Sequence, residues 1–401
     1  MSAEQTPRAL RHIIAIIGRR NAGKSSLLNA LTEQDISIVS PEAGTTTDAV
    51  AKPYELLPLG PVTFYDTAGL DDDSSLGQQR IKSTRKALYK ADVAVLVVNE
   101  DGLGSFEKQI AADVREMQIP LVAAFNKCDK ATLRPEDETF CRENNIPYTV
   151  VSALENKNIT RLKELIIAAV PEENKRPIKL LDGLVEAKDS VILVTPIDTS
   201  APKGRLILPQ VQILREVLDT KAFATVTQTE ELADSLAALK DKPRIVITDS
   251  QAILQVDKIV PPEIALTTFS ILFARHKADL QIMAEGAKTI DRLENGDKIL
   301  IAEACSHHAQ DDDIAKVKIP NWLGRYTGKK FEFSFCTGSD FPENLEEYRL
   351  VIHCGACMLN KAEMNRRLRE CMRRGVPITN YGIAISKTQG VLERVIKPFG
   401  L

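Results

Sequence analysis

Two groups of residues in this chain carry chemistry. Near the start, GRRNAGKSS sets Gly18, Gly23, Lys24 and Ser25 in the spacing G-x-x-x-x-G-K-[ST]. Glycines there let backbone N–H groups curl around a β-phosphate. Lys24 reaches the β/γ oxygens, Ser25 offers a hydroxyl to Mg²⁺, and Ser26 completes the phosphate-binding turn. Late in the chain, EACSHH (303–308) and HCGAC (353–357) bring together Cys305, His307, His353, Cys354 and Cys357. Thiols and imidazoles at such spacing are metal-binding or redox chemistry.

The elements around the first group are those it requires. Ile13–Ile17 reads as a buried strand and LLNALTEQ as the helix whose N-terminus adds positive charge to the phosphate site. VTFYDTAGL (62–70) is a strand ending at Asp66, which holds magnesium through water, and Gly69 offers its N–H to a γ-phosphate. VAAFNKCD (122–129) ends in Asn126, Lys127 and Asp129, where the Asp129 carboxylate accepts from guanine N1–H and N2–H₂. VVSAL (150–154) supplies Ser152 and Ala153 on the guanine O6 side. Order and spacing predict one parallel α/β sheet with GTP and Mg²⁺ at its carboxyl edge. Leu70 stands where Ras-type proteins carry a water-orienting glutamine, so intrinsic hydrolysis is expected to be slow.

This segment resembles the Era and MnmE branch of GTPases, in the apolar Leu70, in Asn21 within GRRNAGKS and in AGTTTD at 43–48. The resemblance implies that Asn21 helps hold a K⁺ ion beside the β/γ-phosphates, in place of an arginine finger. It also puts Thr46 on the magnesium as the switch I threonine. Lys24, Thr46 and Gly69 are then the catalytic groups.

The rest of the chain bounds the reading. At 401 residues, two or three domains are expected. A composition of 44% hydrophobic and 27% charged residues is that of a soluble globular protein, and a net charge of −3 gives no support to a nucleic-acid or anionic-membrane partner. Ile13–Ile17 is too short for a signal sequence and no run reaches spanning length, so a cytoplasmic setting with reduced thiols is expected. VPEENKRPIK (170–179) reads as a linker. Strands SVILVTPID (190–198) and RIVITDS (244–250) alternate with helices in a small α/β domain. From Pro261 onward, LTTFSILFARHKADLQIMAEGAKTIDRL reads as one long helical stretch, broken at Gly286. DKILIAEAC, FEFSFCTGSDFP, YRLVIHCGAC and VPITNYGIAIS then give four strands of a parallel sheet. The domains expected are 1–170, 178–260 and 263–401.

That polarity brings Cys305, Cys354 and Cys357 to one carboxyl edge. Simple burial accounts for Cys336 and Cys371 but poorly for these three. A dithiol redox pair fits C-x-x-C at a strand end but leaves Cys305 and EACSHH without a role. A Cys₃His zinc site on Cys305, His307, Cys354 and Cys357 and an iron–sulfur cluster on three thiolates use the same residues, and their chemistry alone does not separate them.

The whole chain, in domain order, resembles the HydF family of FeFe-hydrogenase maturation GTPases: an Era/MnmE-type GTPase, a small α/β domain, then C-x-H (Cys305–His307) and H-C-x-x-C (His353–Cys357). The resemblance implies a P-loop GTPase domain, a small α/β dimerisation domain and a parallel-sheet α/β domain holding a 4Fe–4S cluster on Cys305, Cys354 and Cys357. It further implies a homodimer, and a scaffold that carries a two-iron precursor, built with radical-SAM maturases, to the apo-hydrogenase. Glu303, His307 and His353 compete for the fourth cluster position. Glu303 and His307 rank evenly as ligands, and His353 is placed behind the sulfurs as a hydrogen-bond donor. An oxygen or imidazole ligand there is exchangeable, as a carrier requires.

Overall fold

The computed structural model describes residues 6–7, 10–33, 50–67, 84–85, 87–175, 179–196, 206–304, 313–338, 341–342, 344–356 and 359–401. The chain divides into two compact units, Met1–Pro177 and Ile178–Leu401.

The first unit is built on six strands: β1 (His12–Ile17), β2 (Val50–Leu56), β3 (Gly60–Asp66), β4 (Val93–Val98), β5 (Leu121–Phe125) and β6 (Tyr148–Val150). They lie in the order β2-β3-β1-β4-β5-β6. The central strands are continuous β-branched and apolar runs. VAVLVV of β4 is buried throughout, as expected of a sheet covered on both faces. The pairings from β3 through β6 are parallel. The expectation of one wholly parallel sheet fails at β2, which pairs antiparallel with β3. Only three residues join those strands, too few for a crossover.

The second unit holds two four-stranded parallel sheets. The middle one comprises β7 (Ser190–Val194), β8 (Phe223–Thr227), β9 (Ile245–Thr248) and β10 (Ala265–Thr268), ordered β10-β9-β7-β8. The last comprises β11 (Lys298–Glu303), β12 (Glu332–Thr337), β13 (Leu350–His353) and β14 (Ile378–Asn380), ordered β12-β11-β13-β14. All its pairings are parallel, with Ala302 opposite His353 and His353 opposite Asn380.

Two sequence readings change here. The long helical stretch from Leu266 begins as β10, so the middle sheet runs past residue 263. Only then does a helix start, Phe269–Lys277, capped by Thr268 Oγ1, which accepts from Ile271 N at 3.3 Å. The next break falls at Asp279, which caps a second helix, Leu280–Lys288, and not at Gly286. Gly286 lies inside that helix because a Cβ there would stand 2.0 Å from the Ile378 carbonyl of β14, so the glycine serves close packing. In VPITNYGIAIS only Ile378–Asn380 is strand; Asn380 Oδ1 accepts from Ile383 N at 2.8 Å and starts the helix Tyr381–Thr388.

The two sheets share one apolar core, in which Val246 and Leu266 pack with Ile299, Ile301 and Val351. They also meet at their carboxyl edges. Ser250, just past β9, and Ser270, just past β10, join hydroxyls at 2.7 Å. A Cβ on Gly382, just past β14, would lie 1.8 Å from Ser270 Oγ. Asn380 Nδ2 donates to the Ser270 carbonyl at 3.1 Å. Among the described residues, no helix is long and apolar enough to cross a membrane.

Candidate functional site

The nucleotide site assembles at the carboxyl ends of β1, β3 and β5 and in the loop after β6. Gly18 takes φ +147°, and a Cβ there would sit 2.4 Å from the Val97 carbonyl. Gly23, at φ +88°, stands as close to the Asn126 amide. Both positions therefore exclude a side chain. Lys24 is buried and its ammonium donates to the carbonyls of Gly18 at 3.0 Å and Arg19 at 2.6 Å, lying back along the loop. Ser25 Oγ donates to Asp66 Oδ2 at 2.6 Å, which puts the predicted hydroxyl and carboxylate of a magnesium site together. Ser26 follows, exposed on the helix Lys24–Thr32. Asn21 is exposed at the loop tip in the left-handed region, φ 60°, which asparagine tolerates better than most residues.

Asn126 ties the motifs together. Its Nδ2 donates to the Ala22 carbonyl at 3.0 Å, and its Oδ1 accepts from Ala153 N at 3.1 Å. The P-loop and the SAL turn are thus fixed to one buried amide. Asp129 is oriented by Ser152, whose hydroxyl donates to Oδ1 at 2.6 Å. That bond holds the Asp129 carboxyl below its usual range, keeping it an acceptor. Lys127 pairs with Glu100 at 2.7 Å. Thr46 and Gly69 lie outside the described residues.

The cysteine site has one described thiol. Cys354 follows β13, and its N–H donates to the Ala302 carbonyl of β11 at 2.8 Å. Its Sγ accepts from Ala304 N at 3.1 Å, so the two strand ends are fastened through the sulfur. Glu303, half-buried, ends β11 beside this contact. Cys305, His307 and Cys357 lie outside the described residues.

His353 is fully buried and both of its ring nitrogens are engaged. Arg367 donates to Nε2 at 3.0 Å, so Nδ1 carries the proton and donates to the Cys354 carbonyl at 2.9 Å. Burial first, then the Arg367 charge, pushes its pKa down to about 3. Arg367, itself 0% exposed, is held by Glu363 at 2.8 Å and by the Gly338 carbonyl.

Tyr381 was not singled out in the sequence. It follows β14 at the same carboxyl edge and is buried. Burial raises its pKa strongly, and the nearby Cys354 and Glu303 charges add to the shift. Its position directly after the fourth strand of the sheet was the available signal. This carboxyl edge thus sets a hydrogen-bonded thiol near a carboxylate and a phenol.

Three stretches of the chain match known families. Residues 13–127 match a 50S ribosome-binding GTPase domain, 180–278 the hydrogen maturase F dimerization domain, and 281–398 the hydrogen maturase F tetramerization domain. GTPase Era of Thermoanaerobacter sp. (strain X514) is 29% identical over 195 residues, covering 46% of this chain and 62% of its own length. GTPase Der of Streptococcus pyogenes serotype M4 is 30% identical over 235 residues, covering 54% and 52%. The chain thus spans between half and two thirds of these relatives. Among solved structures, an Era variant from Aquifex aeolicus is 21% identical, covering 54% of this chain and 92% of that one at a TM-score of 0.35. The G domain of the T. maritima FeoB iron transporter is 23% identical, covering 40% and 99% at 0.33.

Fold and site define a P-loop protein of the GTPase class with two further α/β domains behind its switch. Both maturase-specific domains follow that switch in order, and the chain belongs to the hydrogen maturase F family.

Replacing Asp129 by Asn turns one base acceptor into a donor. Asp129→Asn is expected to weaken GTP binding by about 100-fold in a fluorescent-nucleotide titration. Unchanged affinity would remove Asp129 from base recognition.

Proposed function

We propose that this protein is a GTP-hydrolysing iron–sulfur scaffold in hydrogenase maturation. It carries a two-iron precursor, made with radical-SAM maturases, to an apo FeFe-hydrogenase in the cytoplasm. One observation carries the reading: β11 and β13 lie side by side, and Ala304 N–H holds Cys354 Sγ. C-x-H and H-C-x-x-C therefore start from adjacent strand ends, inside the segment that matches a hydrogen maturase F domain.

Cys305, Cys354 and Cys357 would supply the thiolates for a 4Fe–4S cluster, with Glu303 or His307 at the fourth position. His353, with both nitrogens occupied, would orient the loop from behind. The cluster would supply an iron at which an exchangeable ligand or cargo docks. In the first unit, Lys24, Thr46 and Gly69 would meet the transferred phosphate, Ser25, Thr46 and Asp66 the magnesium, and Asn21 a potassium ion. Self-association through the middle domain is supported by its edge strand. β8 exposes Phe223 and Val226, and the helix Leu208–Asp219 exposes Val211 and Leu218 beside it.

Anaerobic reconstitution with iron and sulfide should give a brown protein with a reducible EPR signal. Cys354→Ser should lose that signal, and with it the ability to activate apo-hydrogenase, while GTP hydrolysis stays within about twofold, since the sites belong to separate units. A colourless protein with stoichiometric zinc would defeat the proposal. GTP hydrolysis should run severalfold faster in KCl than in NaCl at equal ionic strength, and Asn21→Ala should abolish the difference; equal wild-type rates would dismiss potassium. Phe223→Glu should lower the mass in light scattering to that of a monomer, and an unchanged mass would move the interface elsewhere.

A further inference from the structure

The cysteine loop is braced by a residue from outside its own sheet. Helix Phe269–Lys277 follows β10 directly and so continues the middle sheet. Its last residue, Lys277, is 2% exposed. The ammonium donates to the Ala356 carbonyl at 2.7 Å and the Leu359 carbonyl at 2.8 Å, the two that bracket Cys357. Its charge also lies 5.4 Å from the Phe273 ring centroid, within reach of a cation–π contact. Ala356 takes φ 53°, a left-handed conformation that a non-glycine residue keeps only where its surroundings hold it.

Taking an ammonium out of water is costly, so its placement here is informative. Lys277 is one of several cations around the loop. Arg367 is buried against His353, and Lys361 opens the following helix, Lys361–Arg373. The charges of Lys361 and Lys277 bear on the neighbouring imidazole of His276. Burial first, then Lys361 and Lys277, pushes its pKa down to about 4. Such surroundings disfavour a further cation and favour an anion, which a cluster on three thiolates would be.

We infer that Lys277 is a positioning residue of the cysteine site: it reaches from the middle domain to pin the Ala356–Leu359 turn and sets a buried positive charge behind the loop that follows Cys354. The charge half of this inference rests on the iron–sulfur proposal above; the pinning half does not. By this route the domain that matches a dimerization module becomes part of the cysteine site.

The test uses the full chain with Lys277→Met, which keeps the stem and removes the donors. In the metal-free protein, hydrogen exchange over residues 353–360 should quicken by at least about tenfold, while exchange in β9 stays as in the wild type. Lys361→Met removes a nearby charge without touching the loop carbonyls and should leave loop exchange unchanged. After anaerobic reconstitution, an EPR-monitored redox titration should show the cluster midpoint moved to lower potential in Lys277→Met. Loop exchange equal to wild type would overturn the inference, and so would quickened exchange with an unmoved potential. If the wild type takes up no cluster, the iron–sulfur reading fails, and loop exchange alone decides whether Lys277 pins the turn. Should Lys277→Met not fold, Lys277→Gln, which keeps a shorter donor, is read by the same two measurements.

Discussion

Parallel pairing is the constraint on which both sites depend. Strands that run the same way end on the same edge, so loops far apart in sequence must converge there. In the first unit this puts the P-loop, Asp66 and NKCD at the ends of β1, β3 and β5. In the second it puts Glu303, Cys354 and Tyr381 at the carboxyl ends of β11, β13 and β14. The middle sheet turns its carboxyl edge toward the last one, through Ser250 and Ser270. One topological rule thus supplies a nucleotide site, a cysteine site and the junction that supports the latter.

The two sites meet negative charge in different ways. At the nucleotide site the work falls to backbone, because Gly18 and Gly23 leave room for N–H groups to approach a phosphate, and the Asn126 amide makes the motifs one unit. That site must release its ligand after each turnover, and the exposed Ser25 suits it. At the cysteine site, the positive charge is carried by long side chains, Lys277 and Arg367, buried to 2% and 0% exposure. Buried charges feel little screening from salt and are fixed in place by carbonyls and by Glu363. A site of that kind is suited to hold a group for long periods.

What could be read from the sequence followed from how local each signal was. The P-loop, DTAG and NKCD are short contiguous patterns, and their neighbours formed the strands that such patterns require. The adjacency of the two strand ends that lead into the cysteine motifs was also legible, because it needs only strand polarity. Elements whose identity depends on tertiary partners were not. Leu266 and its neighbours are apolar enough for helix or strand, and pairing with β9 decided for strand. Gly286 suggested a helix break, yet its reason is the nearby Ile378 carbonyl. Lys277 closes ARHK at a helix C-terminus, where a lysine ordinarily serves the helix dipole in water. Nothing local signals that its ammonium is buried against a turn some eighty residues on.

His353 shows how the same geometry separates roles among neighbouring donors. An imidazole ligates a metal through a free ring nitrogen, with the other donating to a partner. Here Arg367, which cannot give up its proton, occupies Nε2, and the remaining N–H is spent on the Cys354 carbonyl. The ring acts as a strut between a buried arginine and the backbone of the cysteine motif. Glu303 stands differently. It is half-buried, ends the strand that carries Ala304 to the sulfur, and lies near enough to Tyr381 to raise that phenol together with Cys354. A carboxylate binds iron less firmly than a thiolate does, which suits the exchangeable fourth ligand proposed above. The structure thus fixes the cysteine motif through His353, Arg367 and Lys277, and on the proposed reading Glu303, at the end of β11, is the exchangeable position.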